Sequence, residues 1–100
     1  MTKSEIQARA NFKDRVLTWS EKLRVAPSQI RIQRMTRKWG SCSTAGWVTF
    51  SEDLLAEPKR FQEYVIAHEL LHLRVPNHGK LFKATLSAHF PGWKEVDICR

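Results

Sequence analysis

The stretch that decides the fold is YVIAHELLH at residues 64–72 of a 100-residue chain. Apolar residues surround it on most sides, which predicts a central, buried helix from about Pro58 to about Val75. Residues four apart on a helix lie one turn from each other on the same face, so His68 and His72 are expected to point to one side. Two imidazoles arranged in this way can bind a single zinc ion.

The residue that follows the first histidine adds a catalytic group to this motif. Glu69 is expected at the rim of the site, where it can take a proton from a zinc-activated water and later pass it to a leaving amine. Zinc lowers the pKa of such a water to about 7, so a hydroxide nucleophile is available at neutral pH. The HExxH pattern therefore predicts zinc-dependent hydrolysis, although it also occurs by chance in buried helices that carry two histidines.

A catalytic zinc site needs a third protein ligand and one open position. His78 is the expected third ligand, because it follows His72 by six residues across a proline break and lies beside a glycine. His89 lies eleven residues further, three turns along the same predicted helix and too far from the metal. Glu95 and Asp97 stay possible on position alone.

The rest of the chain predicts an α+β architecture. Residues 2–24 are expected to form an N-terminal helix with a capping box at Thr2 and Glu5. Alternating residues and a hairpin pattern in residues 29–51 predict a small antiparallel sheet of about three strands. A closing C-terminal helix is expected over about residues 78–90, capped by Asn77.

Composition narrows the class of protein further. The chain has 17 Lys plus Arg against 10 Asp plus Glu, 42% hydrophobic residues and 27% charged residues. These values predict one globular domain over residues 1–100. No apolar run approaches the roughly 20 residues of a spanning helix, and no apolar leader is recognisable, so a cytoplasmic location away from membranes is expected. The two cysteines, Cys42 and Cys99, are too few for a disulfide framework.

Several segments resemble one family of enzymes in order and spacing. Residues 35–43 (MTRKWGSCS) resemble the "tRWGSC" segment of YgjP-like zinc metallopeptidases, which are relatives of the WLM and SprT-type zincins. Residues 64–73 and 77–82 resemble the "YVIxHELxHLxxxNHxxxFW" segment of that family, and residues 91–94 (PGWK) resemble its "lPdyk" ending. Lys83 stands where the family often has Trp. Family members usually carry a longer N-terminal β-rich extension, and this difference concerns substrate recognition more than chemistry.

The resemblance covers about residues 20–97 and implies a zincin-like minidomain. It implies that His68, His72 and His78 bind one zinc ion and that Glu69 is the general base of a metallopeptidase. The expected partner is a protein or peptide substrate.

The WGSC segment has two interpretations. Trp39, Gly40, Ser41 and Cys42 can line the cleft as an edge strand that binds peptide by strand addition. Alternatively, the segment is a hairpin turn whose Trp39 packs on the HExxH helix. Cys42 as a fourth metal ligand would close the site and abolish hydrolysis.

The net charge of +7 lies entirely in the first half of the chain, because residues 51–100 are balanced. Arg31, Arg34, Arg37 and Lys38 lie close to tryptophans, a combination typical of nucleic-acid binding. The alternative function is therefore a non-catalytic, zinc-stabilised module that binds nucleic acid or a protein partner through its basic N-terminal half. SprT-type relatives act on DNA-associated proteins, which also allows such a protein as a partner.

Overall fold

A computed structural model of the protein describes residues 1–96 and confirms the α+β class. The helices are α1 (Lys3–Leu23), α2 (Lys59–Leu71), α3 (Lys80–His89) and α4 (Trp93–Val96), with a 3₁₀ helix at Glu52–Ala56. The strands are β1 (Gln29–Gln33), β2 (Gly40–Cys42) and β3 (Trp47–Ser51). Asp97 and Cys99 lie outside the described residues. Within residues 1–96, no helix combines the length and the hydrophobicity of a membrane span.

Helix α1 begins at the predicted capping box. The side chain of Thr2 accepts from the backbone N–H of Glu5, and the Glu5 carboxylate accepts from the backbone N–H of Thr2. One stripe of the helix is buried: Phe12, Val16, Trp19 and Leu23. Ala8, on the same stripe, is exposed, so the first two turns project beyond the core. The helix ends at Arg24, which adopts the left-handed conformation.

The sheet has three strands in the order β1-β3-β2, and its pairing corrects the prediction of an antiparallel sheet. β2 and β3 are antiparallel, as a hairpin requires, but β1 and β3 are parallel. The connection between β1 and β2 passes around the end of β3, where Ser51 donates its hydroxyl to the Met35 carbonyl and its backbone N–H to the Trp39 carbonyl. β3 therefore enters between the two earlier strands, and β2 becomes an edge.

Helix α2 is central, as its apolar sequence predicts. It packs against α1, β2, α3 and α4, and eight of its 13 residues are buried. In the same core, Phe12 of α1 meets Phe50 of β3 edge to face, with ring centroids 5.1 Å apart. Direct contact between α2 and β2 places the carboxyl-terminal turn of α2 beside the edge strand, where Glu69 meets Gly40.

Two helix boundaries differ from the prediction. α2 ends at Leu71 rather than near Val75, because the N–H groups of Arg74 and Val75 both bond to the Leu71 carbonyl in a tight turn. α3 begins at Lys80 with Gly79 as its N-cap, so Asn77 does not cap it. His78 consequently lies in the connection between the helices rather than on α3.

Candidate active site

Three histidines converge at the end of α2. His68 lies in the last turn of that helix, His72 is its C-cap, and His78 comes from the following connection. The Nε2 atom of His72 lies 3.3 Å from that of His68 and 2.9 Å from that of His78, and the third Nε2 separation is 3.1 Å. The turn after α2 thus places His78, the predicted third ligand, beside His68 and His72.

These three nitrogens fit a zinc ion. A Zn–N bond of about 2.0–2.1 Å in a tetrahedral site places ligand nitrogens about 3.3 Å apart, close to the observed separations. Among residues 1–96, the cluster of possible ligand atoms consists of His68, His72 and His78, with no cysteine or carboxylate. Three protein ligands leave one tetrahedral position open, which is the composition of a catalytic rather than a structural site.

Hydrogen bonds on the far side of two rings orient the ligand nitrogens. Nδ1 of His72 lies 3.1 Å from the Pro76 carbonyl oxygen, which can only accept, so Nδ1 carries the proton and Nε2 has the lone pair when the ring is neutral. Burial lowers the pKa of His72, and the charge of His78 lowers it further, which favours that neutral form. The hydroxyl of Tyr64 lies 3.3 Å from Nδ1 of His68. Tyr64 therefore lies behind His68, as a hydrogen-bond partner of that imidazole, and does not line the groove.

An aromatic ring that sequence reasoning did not single out supports all three imidazoles. The centroid of Phe82 lies 5.2, 4.8 and 4.9 Å from those of His68, His72 and His78, respectively. Its side chain is only 2% exposed. Phe82 follows His78 by four residues, and this spacing at the start of a predicted helix was the signal that could have identified it.

Glu69 is half-buried beside the histidines. Burial raises the pKa of Glu69 to about 7, while the positive charge of Lys38 acts in the opposite direction. A Cβ on Gly40 would lie 2.9 Å from the Cγ of Glu69, so the backbone of β2 touches the glutamate side chain. Gly79, by contrast, has no neighbour within 4 Å of such a Cβ, so the site does not require glycine there.

An open groove of about 960 Å³ extends from Glu69 and the histidines along the edge strand. Gly40, Ser41 and Cys42 line it as β2, whereas Trp39 packs its ring edge-on against Phe61 of α2 and does not line it. Burial, and to a smaller extent the charge of Glu69, raises the pKa of the Cys42 thiol, which is not part of the histidine cluster.

The remaining predicted residues lie apart from this cluster. His89 ends α3 and Glu95 lies on α4, and neither belongs to the group of ligand atoms. Asp97 is outside the described residues.

The four basic residues of the alternative function lie on β1 and in the connection between β1 and β2. Arg31 lies on β1 with its guanidinium 5.3 Å from the Trp47 ring centroid. Arg34 and Arg37 are exposed in the connection that follows β1. Lys38 is the member of this group that lines the groove.

A helix that presents two histidines one turn apart, a third histidine from the next turn and an adjacent glutamate, packed on a small sheet with a free edge, defines a zinc metallopeptidase. The chain belongs to the YgjP-like family: the model of the YgjP-like metallopeptidase domain matches residues 3–97. The family is thus the one that the sequence motifs resemble.

Solved structures of metallopeptidases share the fold. The metallopeptidase zymogen abylysin of Pyrococcus abyssi is 23% identical, with a TM-score of 0.75 over 85% of this chain and 87% of that chain. The metallopeptidase zymogen jannalysin of Methanocaldococcus jannaschii is 26% identical, with a TM-score of 0.76 over 85% of this chain and 88% of that chain. No curated protein sequence matches the chain.

Proposed function

We propose that the protein hydrolyses peptide bonds with one zinc ion held by His68, His72 and His78, and with Glu69 as the general base. The convergence of three Nε2 atoms within 3.3 Å of one another, one residue from a half-buried carboxylate, carries this proposal. When bound, zinc polarises the substrate carbonyl and lowers the pKa of water enough to supply a nucleophile at neutral pH.

The protein's own contribution to the chemistry is proton transfer by Glu69. The carboxylate takes a proton from the attacking water and then donates it to the leaving amine. Contact with the backbone of β2 at Gly40 limits the positions that the Glu69 side chain can adopt. Preorganisation of this kind supports catalysis because the base does not need to be repositioned during the reaction.

The substrate is proposed to bind as an added strand on β2. β2 lies at the edge of the sheet and lines the groove, so its outer N–H and C=O groups can pair with an extended peptide. Gly40, Ser41 and Cys42 supply this edge. Trp39 is proposed to support it from behind by packing on Phe61, and not to contact the substrate directly.

The decisive experiment compares the wild-type protein with Glu69→Gln. Zinc per chain is measured by elemental analysis, and cleavage of an unstructured protein is followed under the same conditions. We expect both proteins to retain one zinc ion and the variant to lose at least about 10²-fold in rate, the scale of general base catalysis. Glu21→Gln, an identical change at an exposed position of α1, is the matched control and should cleave like the wild type.

No specific observation favours the non-catalytic alternative over this function. Its outcome in the same experiment is distinct: a zinc-loaded wild type that cleaves no unstructured protein but binds DNA in a salt-sensitive manner. A nucleic-acid partner, a cytoplasmic location and a single domain over residues 1–100 stay predictions.

A further inference from the structure

Apart from Glu69, the charged side chains that line the groove beside the histidines are positive. Arg24, Lys38 and Arg74 line it, and Glu69 is the one carboxylate among the described residues that do so. Because Glu69 is assigned to proton transfer, the rest of the groove presents cations to whatever binds there. Lys38 lies just before β2 in the sequence, whereas Arg24 and Arg74 reach the groove from other segments of the chain.

Arg24 has a backbone conformation that is unfavourable for an arginine. It ends α1 with φ 56° and ψ 48°, the left-handed conformation that glycine or asparagine normally supplies at a helix C-terminus. Within residues 1–96 its exposed side chain forms no ion pair. The helix end by itself would be more stable with glycine at this position. The arginine instead adds a positive charge to the groove.

Arg74 reaches the same place from the turn after α2. Its Nη1 donates to the carbonyl oxygen of Leu23, 3.0 Å away, at the carboxyl end of α1. The bond fixes the guanidinium next to the residue that precedes Arg24. Within residues 1–96 its other N–H groups have no acceptor, so they can bind a carboxylate. Two guanidinium groups from distant parts of the chain are thus placed at one end of the groove.

Hydrogen bonds attach the segment that follows Arg24 to the turn between β2 and β3. The backbone N–H of Ser28 donates to the Gly46 carbonyl at 2.8 Å, and its hydroxyl donates to the Ala45 carbonyl at 2.7 Å. Arg24 lines the groove together with Thr44, Ala45 and Gly46 of this turn. Gly40, at the other end of β2, touches Glu69. The turn begins at Ser43, three residues after Gly40, and three residues of extended chain span about 10 Å.

We propose that Arg24 and Arg74 form a specificity site for an acidic side chain of the substrate, about three residues from the bond that is cleaved. The substrate class would then be acidic, extended peptides. This inference rests on the proposed function, because it assigns a preference to the same groove. A carboxylate at this site meets two guanidinium forks, which favour it over an amide of the same shape.

The test uses two peptides that differ by a single Asp or Asn three residues from the scissile bond. We expect the zinc-loaded wild type to have a higher kcat/KM for the Asp peptide, and Arg24→Gln to reduce the Asp/Asn ratio by about two- to fivefold, the scale of an exposed ion pair. The ratio should also fall as salt is raised from about 0.05 to 0.5 M. Lys13→Gln, an equal loss of charge at an exposed position of α1, should keep the wild-type ratio.

Arg24→Gly separates recognition from folding. Glycine suits the left-handed conformation, so this variant should melt no lower than the wild type while its Asp/Asn ratio falls like that of Arg24→Gln. An Asp/Asn ratio near one in the wild type, or a ratio that neither Arg24 variant changes, would overturn the inference while cleavage itself upholds the proposed function.

A binding measurement covers the case in which neither peptide is cleaved. The dissociation constants of both peptides are measured with zinc-loaded Glu69→Gln. Tighter binding of the Asp peptide, weakened by Arg24→Gln in the same background, supports the acidic site even if hydrolysis fails. Equal binding of both peptides, or much tighter binding of a single-stranded oligonucleotide than of the Asp peptide, refutes it.

Discussion

Replacing Gly40 by alanine tests whether the edge strand positions Glu69. The added Cβ would lie 2.9 Å from Cγ of Glu69, 3.1 Å from the carbonyl oxygen of Thr49 and 3.4 Å from Cδ1 of Phe50. Favourable carbon–carbon contacts need about 3.5–4.0 Å, so one neighbour must move by about 0.6–1 Å. The Thr49 carbonyl belongs to the sheet backbone and resists such movement, whereas the Glu69 side chain can rotate away.

The expected result follows from that displacement. A misplacement of about 1 Å can cost about 10²-fold in rate, and overpacking costs about 1–3 kcal/mol of stability. Gly40→Ala should therefore lower kcat/KM by about 10²-fold and lower Tm by several degrees, with zinc content unchanged. The assay is peptide cleavage at saturating zinc, combined with thermal unfolding and elemental analysis.

Gly79→Ala is the matched control for this substitution. It adds the same methyl group next to His78, where no atom lies within 4 Å of the new Cβ, so its kcat/KM should stay within about threefold of the wild type. A Gly40→Ala variant that also keeps its rate within threefold, or that loses zinc, would refute the positioning of Glu69 by the strand.

Three further outcomes are expected. Tyr64→Phe removes the hydroxyl 3.3 Å from Nδ1 of His68 but keeps the ring, so zinc affinity in a chelator competition should fall by about 10-fold or more, and an unchanged affinity would contradict this role. Phe82→Ala should cost about 3–5 kcal/mol in denaturant unfolding because the ring is buried against the imidazoles, and a loss below about 1 kcal/mol would contradict it. Removal of zinc by a chelator should lower Tm reversibly, since zinc at a hundred times its Kd contributes about 2.7 kcal/mol, and a Tm insensitive to chelator would argue against a site formed in the folded state.

Local geometry explains why part of the site could be predicted. The spacing of His68 and His72 becomes a shared face in any α-helix, and Glu69 follows one of them directly. The position of His78 required only that the chain turn sharply after α2, which the nearby proline indicated. The capping box at Thr2 likewise depends on residues three apart.

Pairing between distant segments explains what could not be predicted. The parallel alignment of β1 with β3 depends on how the connection between β1 and β2 passes around the end of β3, which alternating hydrophobicity does not encode. The orientation of Trp39 was open for the same reason, because a strand pattern does not say which element covers the segment before it.

The sequence by itself determined the grouping on which the proposed chemistry depends: His68, His72, His78 and Glu69 lie within eleven consecutive residues, where helix and turn geometry dominate. Tertiary structure decided what surrounds that chemistry. It left β2 at an edge of the sheet, because β3 lies between β1 and β2, and it placed Gly40 against Glu69. It also brought Arg24 and Arg74, fifty residues apart in the chain, to one end of the groove, because packing of α1 on α2 joins the ends of two helices that the sequence separates.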